Sequence, residues 1–234
     1  MAPVAREISS LTGVLEPLQT ALSVNSQIKE LESILKEHAN LPITLIGFSW
    51  GAWLSYIFTA HYPSYIAKLI MIGSPPFEDS YANAIMETRL SRLNNREKGE
   101  VTRLLELLHN PSNRNKNKIM GQFRSLMFKA DSYKPLSDSD DVLEYQYDAY
   151  RYVWKEADEL RKSGALLEIG RKIKCPVIVI HGDYDPHPAE GVYKPLSTII
   201  RNFRFIGLEK CGHYPWREKQ ASEIFYAVLN QELR

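Results

Sequence analysis

Four short apolar runs divide the chain, and each has the length of one buried strand. Continuous apolar and β-branched residues over six or seven positions are typical of strands covered on both faces, as in a parallel sheet. We therefore predict a parallel sheet. Its four strands are ITLIGF (43–48), AKLIMIG (67–73), PVIVIHG (176–182) and FRFIGLE (203–209).

Helical patterns alternate with these runs. From Asn25 to His38, Ile28, Leu31 and Leu35 fall on one face and charged residues on the other, which predicts an amphipathic helix. Three strands are followed by further helical segments, WGAWLSYIFTAHY, PAEGVYKPLSTII (irregular) and QASEIFYAVLNQEL. Alternating strands and helices predict an α/β protein with a mostly parallel sheet flanked by helices.

The middle of the chain has a different character. From Phe77 to Lys174 the sequence is polar, charged and helical in period, without a convincing strand. We interpret residues 77–174 as a helical cap inserted into a core domain formed by residues 1–76 and 175–234. The cap is expected to lie over one end of the sheet.

Composition and charge exclude several classes of function. Of the 234 residues, 44% are hydrophobic and 24% are charged, with a net charge of +1. This balance predicts a globular protein without a nucleic-acid or membrane partner. No apolar run approaches the ~20 residues that span a bilayer. The N-terminus also lacks the apolar core of a secretory signal, so we expect a cytoplasmic protein.

The two cysteines fit a reducing compartment. Cys175 begins one predicted strand and Cys211 follows the next parallel strand, so we expect them near opposite ends of the sheet as free thiols. The chain shows neither metal-ligand spacing nor a glycine-rich phosphate loop. No cofactor is therefore expected.

The segment GFSWG places Ser49 between a buried strand and a helix. A serine hydroxyl reacts with a carbonyl only when a base takes its proton and its oxygen is exposed. A sharp strand-to-helix turn exposes the oxygen and points the helix N-terminus at the developing oxyanion. Because the turn is tight, we expect small residues at Gly47 and Gly51.

Two later loops supply the remaining parts of a serine, acid and histidine device. His213 in EKCGHYPW follows the last predicted strand and is the expected general base. The preceding loop, HGDYDPHP, offers Asp183 and Asp185, and Asp185 lies farther out, where it is better placed to reach the next loop. We assign Asp183 to the turn. His181 and His187 are expected to be structural.

In this order, each after a predicted strand, the three motifs resemble those of the α/β-hydrolase superfamily. The resemblance covers roughly Ile28–Arg234 and implies Ser49 as nucleophile, Asp185 as acid and His213 as base. It further implies that the backbone N–H of Trp50 is one oxyanion donor and that the cap is a lid.

The resemblance implies a serine hydrolase that cleaves a small ester, thioester or amide through an acyl-enzyme. Two alternatives stay open. One is a non-catalytic ligand-binding protein that keeps the fold. The other is an aminopeptidase like the proline iminopeptidases. The segment METRLSRLNNREKGEV of this chain loosely resembles part of the cap of those enzymes.

The front of the chain departs from the family pattern. Family members place several strands and an oxyanion loop before the helix that precedes the nucleophile strand, whereas here only 24 residues precede Asn25. At best Pro3–Ile8 forms one short strand. The second oxyanion donor has no evident source, and the strand ITLIGF is expected to become a sheet edge.

Three hypotheses account for this short front. The sequence is a fragment or has a misassigned start; or it is a naturally short member in which Val14–Thr20 folds back over the edge; or a second copy pairs along the edge as a homodimer.

Aromatic residues are the candidates for the substrate pocket. Beside the motifs these are Phe48 and Trp216, and in the cap they are Tyr147, Tyr150 and Trp154 on one predicted helix face. The alternative for the cap residues is packing of the cap onto the core. Under the aminopeptidase hypothesis, a cap acid such as Asp138, Asp140 or Asp141 binds the substrate amine.

Overall fold

The computed structural model describes residues 1–137 and 146–234. Within these ranges the sheet has four parallel strands in the order β1-β2-β3-β4, which confirms the predicted α/β fold. The strands are β1 (Ile43–Phe48), β2 (Ile66–Ile72), β3 (Val177–Gly182) and β4 (Phe203–Leu208). Each lies within a residue or two of its predicted position.

Ten α-helices fall within the described ranges, and several follow directly from the sequence pattern. The N-terminal and sheet-flanking helices are α1 (Ala2–Ile8), α2 (Val24–His38), α3 (Trp50–His61), α9 (Glu190–Ile199) and α10 (Ser222–Glu232). Those between β2 and β3 are α4 (Ile85–Ser91), α5 (Asn95–His109), α6 (Lys116–Asp131), α7 (Tyr147–Lys162) and α8 (Ala165–Glu168).

The two faces of the sheet are covered by different helices. Along β2, Leu69 and Met71 face one layer while Ile70 and Ile72 face the other, as the two-residue period of a strand requires. The first layer includes buried residues of α2, α3, α7 and α9, and the second includes those of α1 and α10. Both layers exclude water from the central strands β2 and β3.

The N-terminal segment is a helix, so the expectation of a short strand at Pro3–Ile8 was wrong. Val4 and Ile8 lie one helical turn apart and are both buried against the sheet. Pro3 sits in the first turn of α1, where its missing N–H costs nothing. A helical period over so few residues is easily overlooked, and burial of its apolar side against Ile70 and Ile178 favours the helix.

Strand β1 forms one edge of the sheet, as expected. It pairs with β2 on one side and with no other strand in the described ranges. Most of its residues are only partly buried, in contrast to the fully buried β3. Residues 13–21 form no strand beside it, although Val14 packs near Ile46 and Phe48.

The helices between β2 and β3 have a core of their own. Leu93, Val101, Leu104, Met120 and Met127 are buried together in α4, α5, α6 and their connections. Helix α7 contacts both this core and the sheet. Its Tyr147 is buried with α5 and α6, and its Val153 and Ala157 are buried in the sheet-side cluster with α2 and α3. The prediction of a cap over residues 77–174 remains a prediction about domain boundaries.

Two further properties concern the whole described chain. Cys175 and Cys211 are free, which confirms the prediction of two thiols. Among the helices in the described ranges, none combines the length and apolar character needed to cross a bilayer.

Candidate active site

Ser49 stands at a strained turn between β1 and α3. Its φ of 53° and ψ of −120° are an unusual conformation for a residue other than glycine, and such strain accumulates at functional sites. The turn brings α3 close to β1, because a Cβ at Gly47 would lie 2.1 Å from the carbonyl oxygen of Gly51. The strand-to-helix turn expected of a nucleophile is therefore present.

The expectation that the tight turn requires a small side chain at Gly51 was wrong. A Cβ at Gly51 would meet nothing within 4 Å. It is the backbone of Gly51, not its missing side chain, that packs against Gly47.

His213 lies between Ser49 and Asp185. Its Nε2 is 3.1 Å from Ser49 Oγ, and its Nδ1 is 2.7 Å from Asp185 Oδ2. A carboxylate only accepts hydrogen bonds, so Nδ1 carries the proton and Nε2 is left to accept from the serine hydroxyl. The structure thus brings together the three predicted catalytic residues in the geometry of a serine, histidine and acid chain.

Asp183 has a different partner, as its assignment to the turn implies. Its Oδ1 accepts the backbone N–H of Cys211 at 3.1 Å. The carbonyl of Cys211 in turn accepts from Tyr184 at 2.8 Å. These bonds tie the loop after β3 to the loop after β4, so that Asp185 and His213 are presented to each other.

His187 also contacts Asp185, which sequence reasoning missed. Its backbone N–H and its Nδ1 both bond Asp185 Oδ1, at 3.0 and 2.7 Å. His181 Nε2 in turn donates to the carbonyl of His187 at 2.9 Å. The signal was visible as two histidines around the acid in HGDYDPHP, but their spacing did not reveal which of them reaches the carboxylate.

Burial and hydrogen bonding fix the charges in this cluster. Burial alone raises the pKa of Asp185, but the imidazoles of His213, His187 and His181 outweigh it and hold that pKa well below the ordinary value of 3.8. Burial lowers the pKa of His187 to about 4, against the opposing attraction of Asp185. At neutral pH, His187 is therefore an uncharged donor to an ionised Asp185.

The backbone of the His213 loop is held by the end of α6. The N–H of His213 donates to the carbonyl of Asp131 at 2.8 Å. Gly212 must be glycine for this approach, since a Cβ there would lie 2.1 Å from the same carbonyl oxygen. The Asp131 carboxylate is fixed in turn by Arg89 of α4, with Nε–Oδ1 at 2.7 Å and Nη2–Oδ2 at 2.8 Å.

Glu218 joins the same two segments with its side chain. It is 1% exposed, and its carboxylate accepts the backbone N–H groups of Tyr133, Lys134 and Gly212 at 2.7, 2.7 and 3.0 Å. Three charge-assisted bonds satisfy a carboxylate that burial would otherwise penalise. We call this set of four hydrogen bonds the clamp: the bond from the His213 N–H to the Asp131 carbonyl, and the three bonds that Glu218 accepts.

Trp50 is the first residue of α3. The N–H of a first-turn residue has no acceptor within its own helix, which suits the predicted role as oxyanion donor. Its indole Nε1 donates to Gln27 of α2 at 2.9 Å, so the indole N–H is already engaged and only the backbone N–H is a candidate donor to the oxyanion. The role of the Trp50 N–H remains a prediction, as does the source of a second donor.

Phe48 packs beside His213, and Trp216 packs on Phe48. The Phe48 ring centroid lies 4.8 Å from His213 and 4.7 Å from Trp216. Trp216 also packs on Phe225 of α10. Phe48 thus contacts the His213 ring directly, whereas Trp216 packs against Phe48. The predicted contact of both residues with substrate stays a prediction.

The three aromatic candidates of α7 do not act as one surface. Trp154 stacks on the buried Trp53 at 5.6 Å, and Tyr150 stacks on Trp154 at 6.2 Å. Tyr147 is buried in the core of α5 and α6, with its hydroxyl bonded to the carbonyl of Leu108.

Tyr147 also borders a cavity of about 660 Å³ between the start of α6 and α7, which neither Ser49 nor His213 lines. The candidate cap acids Asp138, Asp140 and Asp141 lie outside the described residues.

One group in the described ranges has metal-ligating side chains close together. Ligand atoms of Asp185, His187 and His213 all lie within 4.8 Å of one another. Both imidazole Nδ1 atoms are already engaged with the carboxylate, and His213 Nε2 faces Ser49. The contact with Ser49 favours proton transfer over metal binding as the chemistry of this cluster.

A parallel sheet with a serine at a strained strand-to-helix turn, and with a histidine and an acid on later loops, defines a hydrolase fold. The sequence model of the α/β hydrolase fold family matches residues 16–219. The chain therefore belongs to the α/β-hydrolase family. No curated relative matches it by sequence.

Solved structures agree on the fold. The chain is similar to VinJ, with 17% identity, a TM-score of 0.61, and coverage of 95% of this chain and 76% of that one. It is also similar to a monoacylglycerol lipase of Paleococcus ferrophilus, with 15% identity, a TM-score of 0.56, and coverage of 92% and 76%. A proline iminopeptidase of Mycobacterium smegmatis has 15% identity, a TM-score of 0.55, and coverage of 94% and 76%.

Proposed function

We propose that the protein is a serine hydrolase that cleaves a small ester, thioester or amide through an acyl-enzyme. The observation that carries the proposal is the hydrogen-bonded chain from Ser49 through His213 to Asp185. A partly exposed serine hydroxyl has no structural need for an imidazole that is itself held by a buried carboxylate. Membership of the hydrolase family supports the same conclusion.

The proposed reaction uses each member of the chain in turn. Ser49 Oγ attacks the substrate carbonyl while His213 Nε2 takes its proton. Asp185 stabilises the imidazolium that forms, and the proton then passes to the leaving group. Water, activated by the same Nε2, releases the acid from Ser49. In this proposal the Trp50 N–H stabilises the oxyanion, and no cofactor takes part.

The proposed substrates differ in their leaving group, which is an alcohol, a thiol or an amine. Structures of similar fold include a lipase and a peptidase, so the fold is compatible with ester and amide cleavage alike. Ester cleavage makes the smaller demand on an oxyanion hole with a single identified donor, because its leaving group is better. We therefore place small esters and thioesters first.

Intact mass after incubation with a fluorophosphonate tests the proposal. The wild type is expected to gain one adduct, while Ser49→Ala gains none, because the reagent reacts with an activated serine. Circular dichroism shows that both proteins are folded. A folded wild type that gains no adduct contradicts the proposal and favours a non-catalytic ligand-binding protein.

The aminopeptidase alternative rests on the cap sequence and is weaker. Among the described residues of the predicted cap, Asp131 reaches the His213 loop with its backbone carbonyl, and its carboxylate is paired with Arg89 and so is not free for a substrate amine. Turnover of proline nitroanilide without turnover of short-chain esters would favour the aminopeptidase. The reverse result would favour the esterase.

A further inference from the structure

Asp185 is shared between two imidazoles, and only one of them faces Ser49. Oδ2 receives Nδ1 of His213, while Oδ1 receives both Nδ1 and the backbone N–H of His187. The carboxylate of Asp185 is wholly buried, and its side chain has no exposed area. Its orientation is therefore decided by these donors and not by solvent.

We propose that His187 is a positioning residue for the catalytic acid: it anchors Oδ1 so that Oδ2 stays directed at His213. The proposal rests on the proposed hydrolase function, since it assigns His187 a part in that same site. His187 acts through Asp185 and touches no reacting atom that the mechanism uses.

Geometry supports the proposal at three points. A carboxylate can rotate about its Cβ–Cγ bond, and two donors on Oδ1 fix this rotation. The His187 and His213 rings lie 4.7 Å apart, so one packs against the other. The carbonyl of His187 is itself fixed by His181 Nε2.

The charge state of His187 agrees with this role. A donor that stayed protonated on both nitrogens would add a positive charge beside His213 and would disfavour the imidazolium of the mechanism. The charged or titratable groups that face His187 are Asp185, His213 and Arg89. Burial keeps the imidazole neutral, so that it donates a hydrogen bond without competing as a cation.

Two substitutions separate anchoring from simple packing. His187→Leu keeps most of the volume but removes the Nδ1–H donor, whereas His187→Asn can place its amide N–H near the position of Nδ1. Leu229→Ala in α10 is the control for lost stability. Leu229 is fully buried, so its truncation should destabilise the fold comparably without removing a contact to Asp185.

The measurement is the rate of fluorophosphonate labelling as a function of pH. We expect His187→Leu to label about 10- to 100-fold more slowly than wild type, because a misdirected Asp185 misplaces His213. Its acid limb is expected to move to lower pH, since a carboxylate turned away from His213 Nδ1 stabilises the imidazolium less. His187→Asn and Leu229→Ala should stay within about threefold of wild type, with the limb unmoved.

Low-field imidazole proton signals in NMR provide a readout that needs no activity. The wild type is expected to show two protected Nδ1–H signals, from His187 and His213. His187→Leu should lose one of them and shift the other, and Ser49→Ala should keep both.

Each result decides between the alternatives. Slower labelling, a moved acid limb and rescue by asparagine support the proposal. It is overturned if His187→Leu labels like wild type, or if leucine and asparagine slow labelling equally with no change in the acid limb. If folded wild type fails to label, the hydrolase function fails. The NMR signals then decide whether His187 still anchors Asp185.

Discussion

The two sides of Ser49 are held in different ways. On one side, the loops after β3 and β4 are buried and cross-linked to each other and to α6 by hydrogen bonds. On the other side lies β1, an edge strand with mostly half-buried residues. The comparison shows that the side carrying His213 and Asp185 is supported by many neighbours, whereas the side carrying the proposed oxyanion donor consists of Ser49, its turn and the N-terminus of α3.

The largest expected effect comes from breaking the supported side at its centre. Asp185→Asn keeps the shape of the acid but favours the wrong tautomer of His213, and we expect a loss of about 10⁴-fold in ester turnover. The measurement is kcat with a short-chain ester at neutral pH. Asp183→Asn is the matched control, because asparagine keeps an Oδ1 that can still accept the backbone N–H of Cys211. Equal losses in the two variants would contradict the assignment of Asp185.

The clamp is the next place at which the comparison can be broken. Glu218→Gln puts an amide NH₂ where a carboxylate oxygen now accepts an N–H, so one of three bonds is lost and two donors face each other. We expect about 2 kcal/mol of lost stability, together with slower labelling of Ser49. Urea unfolding measures the first and intact mass the second.

Glu223→Gln is the control for this variant, since it makes the same charge change at an exposed position of α10. If the two variants are equally stable, the clamp contributes little.

A pH series sharpens the comparison, because His187 lies on the supported side. Its pKa in the folded protein, about 4, is below the ordinary value of 6.5. Between these pH values the imidazole is protonated in the unfolded chain but not in the folded protein. Stability attributed to His187 is present above pH 6.5 and is lost as the pH falls towards 4, by about 3 kcal/mol. Urea unfolding at several pH values measures the loss.

His187→Asn carries no titrating group at this position and should lose less stability over the same window. Asp185 has a lowered pKa and contributes a separate loss, at pH values below 3.8. The two contributions are therefore separated along the pH axis. Identical pH profiles for wild type and His187→Asn would contradict the buried neutral imidazole.

The smallest expected effect concerns the open side. The homodimer along β1 remains a proposal, and light scattering at micromolar concentration tests it. If a second copy pairs with β1, Thr44→Lys should shift the protein towards the monomer, because a lysine on an edge strand opposes strand pairing. A wild type that is monomeric at these concentrations removes the proposal.

The sheet was predictable because its signal is local. Each buried strand is a continuous apolar run, such as PVIVIHG, and the order of the motifs then indicated which loops meet. The N-terminal helix was missed, since seven residues show barely two helical turns, and Val4 and Ile8 alone carry the period. The burial of a strand depends on whether another strand lies on each side of it. ITLIGF and PVIVIHG have similar sequence patterns, but the first is an edge strand and only partly buried, whereas the second is central and fully buried.

The hydrogen-bonded chain of Ser49, His213 and Asp185 was predictable from the order of the motifs, but the contacts that support it were not. Asp185 was preferred to Asp183 from its place in the loop, and it is Asp185 that contacts His213. The partners of Glu218 lie up to 85 residues away in the chain. Backbone N–H groups leave no signature in side-chain patterns, so neither the clamp nor the anchor at His187 could be inferred from spacing.

The clamp also has a consequence for engineering the segment between β2 and β3. Replacing the predicted cap, residues 77–174, would remove Asp131, Tyr133 and Lys134. The N–H of His213 would then lose its acceptor, and Glu218 would lose two of its three donors. A transplant that preserves the His213 loop must therefore carry residues 131–134 with it, so the two segments would have to be exchanged together.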